Sequence, residues 1–192
     1  MKHFILNLAF ACLIFSSQTY AEENLDTKLA NYRTNISELT QNLKAELMAA
    51  MKIGGPISGL EKCNTKAPRI TTDFSKKVGF TTTRTSLKPR NTANAPLKWQ
   101  KVVLDEFKKR KAKGENPNEI EFHEVVTVNG QRQLRYMKAI PTADKCLICH
   151  GENIAPSIQA KIKQLYPNDK ATGFKLGDLR GAFVITENVD DE

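Results

Sequence analysis

The 192-residue sequence has no second Cys-x-x-Cys pair, no apolar run long enough to cross a bilayer, no internal repeat, no low-complexity linker and no recognised nucleic-acid motif. It is also short of acid: 29 Lys and Arg face 21 Asp and Glu, for a formal net charge of +8. Each shortage removes a class. A structural zinc site of the ribbon kind needs two such pairs, so zinc is disfavoured. No βαβ unit flanks the single pair, which disfavours a thioredoxin-like dithiol. A spanning helix needs about 20 apolar residues, so no transmembrane anchor is expected. The basic surplus suits solubility first, and beyond that docking to an acidic redox partner or an anionic surface. Nucleic acid is not an expected partner.

Residues 1–21 have the form of a secretory signal peptide. Lys2 and His3 make a basic start, residues 4–15 an apolar stretch, and residues 16–21 a polar end with small residues at the cleavage site. Cleavage is expected after Ala21, which removes Lys2 and leaves a charge of about +7. Cys12 lies in the apolar stretch without a convincing lipobox, so it is expected to be removed with it. Residues 22–192 then form one domain, exported to the periplasm.

What is present centres on Cys146-Leu147-Ile148-Cys149-His150. Cys-x-x-Cys-His is the attachment signature of a c-type haem. Two thiols at this spacing each add across one vinyl group. The next histidine is held under the iron, where a neutral imidazole nitrogen binds as an axial ligand. Such haem is attached after export, which agrees with the signal peptide. Four cysteines less Cys12 and the motif pair leave Cys63 unassigned. It lies on the apolar face of a short helix with Ile57 and Leu60 at i, i+3, i+6. Residue chemistry leaves two readings level: a buried free thiol acting as a small hydrophobe, or a second axial ligand. Met48, Met51, Met137 and His123 compete for that second position.

Leu25, Leu29, Tyr32, Ile36, Leu39, Leu43 and Leu47 make a heptad seam on one helix. At about 25 residues the helix is roughly 40 Å long. The seam is expected to pack along its own domain, with a homodimer through this helix as the alternative. Gly54-Gly55 should stop the helix and Pro56 open the next. Residues 80–87 read as a strand. A helix is expected from about Pro96 to Lys113, with Trp99, Val102, Val103 and Phe107 inward. Asn129-Gly130 between alternating runs predicts a hairpin. Its register sets Glu124 against Arg135, Glu121 against Lys138 and His123 against Tyr136. Both faces of this hairpin are partly apolar, so helices are expected on one and the haem on the other. A short helix over residues 156–166 and a strand over residues 180–186 complete the chain. The order implies an α+β fold: an antiparallel sheet of about four or five strands, PAS-like, with surrounding helices and a long N-terminal helix.

Several blocks carry a resemblance. They are Glu61-Lys62-Cys63 ahead of Ala67-Pro68, the run Arg84 to Asn91 (RTSLKPRN), Arg135-Tyr136 before Ile140-Pro141, CLICHG, and Tyr166 to Phe174 (YPNDKATGF) with GDLRG to Gly181. In this order they resemble the single-haem, PAS-like c-type haem domain family, long catalogued as a domain of unknown function. The likeness covers nearly the whole mature chain. It implies one covalent haem c, with histidine on one side of the iron, matching His150, and cysteine on the other, matching Cys63. Redox sensing and electron transfer are the roles usually proposed for the family.

A thiolate ligand adds negative charge and lowers the potential. With both axial positions filled, no coordination site is open to substrate, so an enzyme is not expected. A redox or gas sensor is the leading expectation, with nitric oxide or carbon monoxide as a possible small ligand. A periplasmic electron-transfer protein is the alternative, and a haem enzyme with an open iron the weaker one. Arg84, Arg90, Arg135 and Arg180 are candidates for pairing with the haem propionates. For each, an ordinary surface or cross-strand pair is the plainer account.

Overall fold

The computed structural model describes residues 9–189, with side chains from residue 25 onward. The basic start of the expected signal peptide lies outside the described residues, and Cys12 and the cleavage site lie outside those with described side chains. The acidic tail at residues 190–192 is also outside.

Helix α1 (Ala9–Thr65) bends at Gly54-Gly55. Gly55 sits at φ 64, ψ −162, a conformation reserved for glycine, so the bend is written where the sequence placed it. On the first arm Leu29, Tyr32, Ile36 and Leu39 are buried, with Leu25 and Leu43 at their margins. The middle of the seam therefore packs along the chain's own core. The second arm carries Ile57, Leu60 and Cys63. Helix α2 (Ala67–Val78) starts with proline in its first turn and ends on a left-handed Gly79. It is a full helix of 12 residues.

Strands β1 (Thr81–Thr85), β2 (Glu121–Val128), β3 (Gln131–Pro141) and β4 (Leu179–Asn188) form one antiparallel sheet in the order β1-β4-β3-β2. The hairpin register is as read from the sequence: Glu124 faces Arg135, Glu121 faces Lys138, and His123 faces Tyr136. Its turn has Asn129 at φ 52 and Gly130 at φ 81, the left-handed pair that such a two-residue turn demands. Helix α3 (Lys98–Ala112) begins two residues later than expected, because Gln100 Oε1 accepts from the Leu97 N–H at 3.0 Å and fixes the cap there. Val102, expected inward, is exposed.

Helices cover both faces of the sheet. On one, α1 and α2 pack Tyr32, Leu39 and Phe74 against Leu134, Tyr136, Phe183 and Ile185. On the other, α3 packs Val103, Leu104 and Phe107 against Ile120, Met137, Ala139 and Val184. Both faces of the hairpin are thus packed against helices, where a haem was expected on one of them. A third cluster joins Leu60 of α1 to Ile154, Ile158 and Ile162 around α5 (Pro156–Leu165). It sits beyond the sheet end, beside the cysteine motif.

Candidate functional site

The motif occupies a single-turn helix, α4 (Leu147–His150), entered through a tight turn at Asp144–Cys146. The chain leaves it through Gly151, where a Cβ would lie 2.6 Å from the Leu147 carbonyl oxygen. Any larger residue would push the exit away. Gly151 then anchors the loop that follows α5: Gly173 N donates to its carbonyl at 2.9 Å, and Phe174 N donates to that of His150 at 3.0 Å.

These bonds bring residues 166–174 over the histidine. His150 Nδ1 donates to the Ala171 carbonyl at 2.7 Å. That bond fixes the tautomer and leaves Nε2 with its lone pair free. Burial, with Arg180 and Arg90 adding to it, lowers the His150 pKa to about 3, against the opposing pull of the Ala171 carbonyl. The ring is neutral at any physiological pH, as a ligand must be.

His150 and Cys63 line one cavity of about 500 Å³, together with Thr71, Thr82, Arg84, Arg90, Tyr166 and Arg180. That volume falls in the ~300–1000 Å³ range of small-molecule and cofactor sites. A smaller adjoining cavity of about 170 Å³ is lined by Cys146, again with Arg84, Arg90, His150 and Arg180. Cys149 packs against the cluster of Leu60, Ile154, Ile158 and Ile162. Cys63, Cys146 and Cys149 are all free thiols. Burial raises the Cys63 pKa, while the charges of Arg84 and Arg90 pull it down. Lys161 bonds Glu61 at 2.6 Å and fastens the arm bearing Cys63 to α5.

The competitors for Cys63 lie elsewhere. His123 is exposed on the edge strand β2, Met137 is buried under α3, and Met48 is 40% exposed on the first arm of α1. Met51 packs against Gly59 near the bend.

The four arginines part company. Arg90 is buried, and its guanidinium is already engaged. Nε meets Asp169 Oδ1 at 3.1 Å, and Nη2 reaches Asp169 Oδ2, the Cys149 carbonyl at 2.6 Å and the Ala171 carbonyl at 3.1 Å. It braces the motif. Arg180 donates to Ser86 Oγ and the Lys88 carbonyl, both at 3.2 Å, and lies 5.3 Å from the Phe174 ring centre. Burial, then the charge of Arg90, lowers its pKa to about 10, so it stays charged. Arg84 lines both cavities and, among the described residues, its side chain donates no hydrogen bond and joins no ion pair. Arg135 is not at the cavity: it pairs with Glu124 at 3.1 Å and stacks 4.7 Å from the Trp99 ring centre. Of the three guanidinium groups at the cavity, Arg90 alone is paired with a carboxylate among the described residues, that of Asp169. An uncompensated cation beside a cavity favours an anionic occupant.

Sequence reasoning did not single out Asp169, Ala171 or Tyr166 as site residues. The run from Tyr166 to Phe174 was a signal, but only the fold shows that Asp169 holds Arg90 and Ala171 holds His150.

A model of the Tll0287-like family matches residues 13–187. A solved structure, described as the crystal structure of the cyanobacterial heme-protein Tll0287, is similar with a TM-score of 0.64 and 22% identity. The match covers 86% of this chain and 98% of that one. At that identity the likeness speaks to the fold. No curated protein matches the chain. The family match takes in both arms of α1, the cavity, the motif and nearly all of β4, and by it this chain belongs to the Tll0287-like family.

Proposed function

We propose that this protein is an exported, cytochrome-like haem protein of PAS-like build that carries one covalent haem c and serves in the periplasm as a redox or gas sensor. One observation carries the reading: Cys63 and the free Nε2 side of His150 face a single cofactor-sized cavity next to the paired thiols of Cys146 and Cys149. The residues fit a haem in three further ways. The motif thiols are unbridged. The imidazole is held neutral. Arg84, with Arg180 beside it, offers positive charge to carboxylates such as propionates.

When bound, the haem supplies a one-electron iron centre. The chain does the rest. Cys146 and Cys149 would anchor it, His150 and Cys63 would hold its iron, and the Ala171 carbonyl orients the imidazole. Arg90 keeps the motif in place and is a positioning residue. With His150 and Cys63 both assigned to the iron, no enzymatic activity is proposed.

The sensor reading draws on where Cys63 sits. It is on the second arm of α1, joined through the Gly54-Gly55 bend to the arm packed on the sheet. A change in Cys63 ligation acts directly on that helix, which a separate partner can read. The electron-carrier reading draws on the exposed Lys98, Lys101, Lys108 and Lys109 of α3, a basic surface suited to an acidic redox partner.

Optical and EPR spectra of the oxidised and reduced protein, with and without carbon monoxide, test the assignment in wild type and Cys63→Ala. A thiolate-ligated ferric spectrum that is lost in Cys63→Ala is expected. An unchanged ferric spectrum in that variant refutes Cys63 as ligand. Hydrogen exchange then separates the roles, since a sensor should change protection in α1 between redox states and a carrier should not.

A further inference from the structure

A second cavity, of about 490 Å³, opens between the C-terminal half of α3, the segment after β1 and the loop before β4. No cysteine lines it, and neither does His150. Its size is again within the ~300–1000 Å³ range of small-molecule sites. Its floor is apolar: Leu87, Leu104, Ala112, Phe174 and Leu179.

Its polar groups are mostly cations, Lys88, Lys108 and Lys111, against Asp178 alone. Lys111 is paired with Asp178 at 2.8 Å. Lys88 donates to the Thr172 carbonyl, a neutral acceptor, and stands 4.6 Å from the Phe174 ring centre. Lys108 is exposed and joins no ion pair among the described residues. Two cationic charges are therefore uncompensated. The C-terminal end of α3 opposes them with only about half a negative charge.

We infer that this cavity is a binding site for an amphipathic monocarboxylate, its apolar body against Leu87, Leu104 and Phe174 and its carboxylate between Lys88 and Lys108. An uncharged apolar ligand would leave the lysines unused, and a cationic one would meet net repulsion. The occupant would rest on one side of Phe174, whose ring packs edge-on to His150 at 6.4 Å between centres. The site is thus separate from the ligand-bearing cavity yet mechanically next to it.

Calorimetric titration of the whole protein with decanoate below its micellar concentration tests the inference. Saturable binding of one equivalent is expected, with decyltrimethylammonium binding at least about tenfold more weakly for want of charge-assisted contacts. Lys108→Glu should weaken decanoate by a similar factor. Ala112→Trp should abolish binding by filling the cavity from an exposed position, with circular dichroism confirming the fold. Equal affinity for the two probes, or decanoate binding unaffected by both substitutions, overturns the assignment.

Discussion

Replacing Arg90 by methionine keeps most of the volume and removes the charge. The structure sets the size of the effect. Arg90 and Asp169 have side chains only 8% and 9% exposed, so the remaining carboxylate cannot turn to bulk water. The Cys149 and Ala171 carbonyls lose the same donor. Asp169 Oδ1 keeps only the Ala171 N–H, at 2.9 Å. Removing one partner of a buried ion pair costs about 3–5 kcal/mol. A domain's whole stability is about 5–15 kcal/mol, so the variant should be close to the limit of folding. Urea unfolding followed by circular dichroism measures the loss, and Asp169→Asn supplies the second arm of a double-mutant cycle. The double variant should be more stable than Arg90→Met alone, because no unpaired charge remains. A loss below about 1 kcal/mol, or strictly additive single effects, would show that Arg90 does not brace the motif as described.

Other perturbations reach different parts of the molecule. Gly181→Ala would set a Cβ 2.2 Å from the Thr85 carbonyl oxygen, at the end of the β1–β4 pairing, and should cost about 1–3 kcal/mol by thermal unfolding; an unchanged Tm contradicts that packing. Burial alone would raise the Glu121 pKa, but hydrogen bonds from Arg33 and Tyr136 and the charges of Arg33 and Lys138 outweigh it and lower it to about 2. The carboxylate's stabilisation is therefore complete above its ordinary value of 4.5 and fades as pH falls towards 2. Glu121→Gln should flatten that acid limb, which a pH series of urea midpoints would reveal, and an unaltered limb counts against it. Thr82 buries a hydroxyl that has no partner among the described residues, so Thr82→Val should be neutral or stabilising to within about 1 kcal/mol in the same unfolding assay. A clear loss would mean that the hydroxyl is bonded.

Local rules were readable in the sequence wherever they acted between neighbours. The Asn129-Gly130 turn and its opposite charges specified the hairpin register residue for residue. The Gly54-Gly55 bend and the seam from Leu25 to Leu43 were likewise legible. What the seam packs on was not, since Leu134 and Ile185 lie about a hundred residues or more further on. The haem was expected against the hairpin, because two partly apolar faces do not say that α1, α2 and α3 cover both. At the site, Cys63 and His150 could be named but not brought together. Arg90 and Arg180 looked like Arg135 in the sequence. Only tertiary partners distinguish them: Asp169 and two carbonyls for Arg90, Ser86 and Phe174 for Arg180, and Trp99 for Arg135.

The strand order has a kinetic side. β4 comes last among the strands and lies inside the sheet, between β1 and β3. It pairs Thr186 with Thr81, and Glu187 receives Lys28 and Tyr32 from α1. Contacts this far apart in sequence close slowly, because loop entropy is lost before they form. Until β4 docks, β1 has no partner strand. A chain emerging from N- to C-terminus therefore presents Cys146 and Cys149 while its sheet is still open. Arg180 and Gly181 of β4 then complete the lining of the Cys146 cavity.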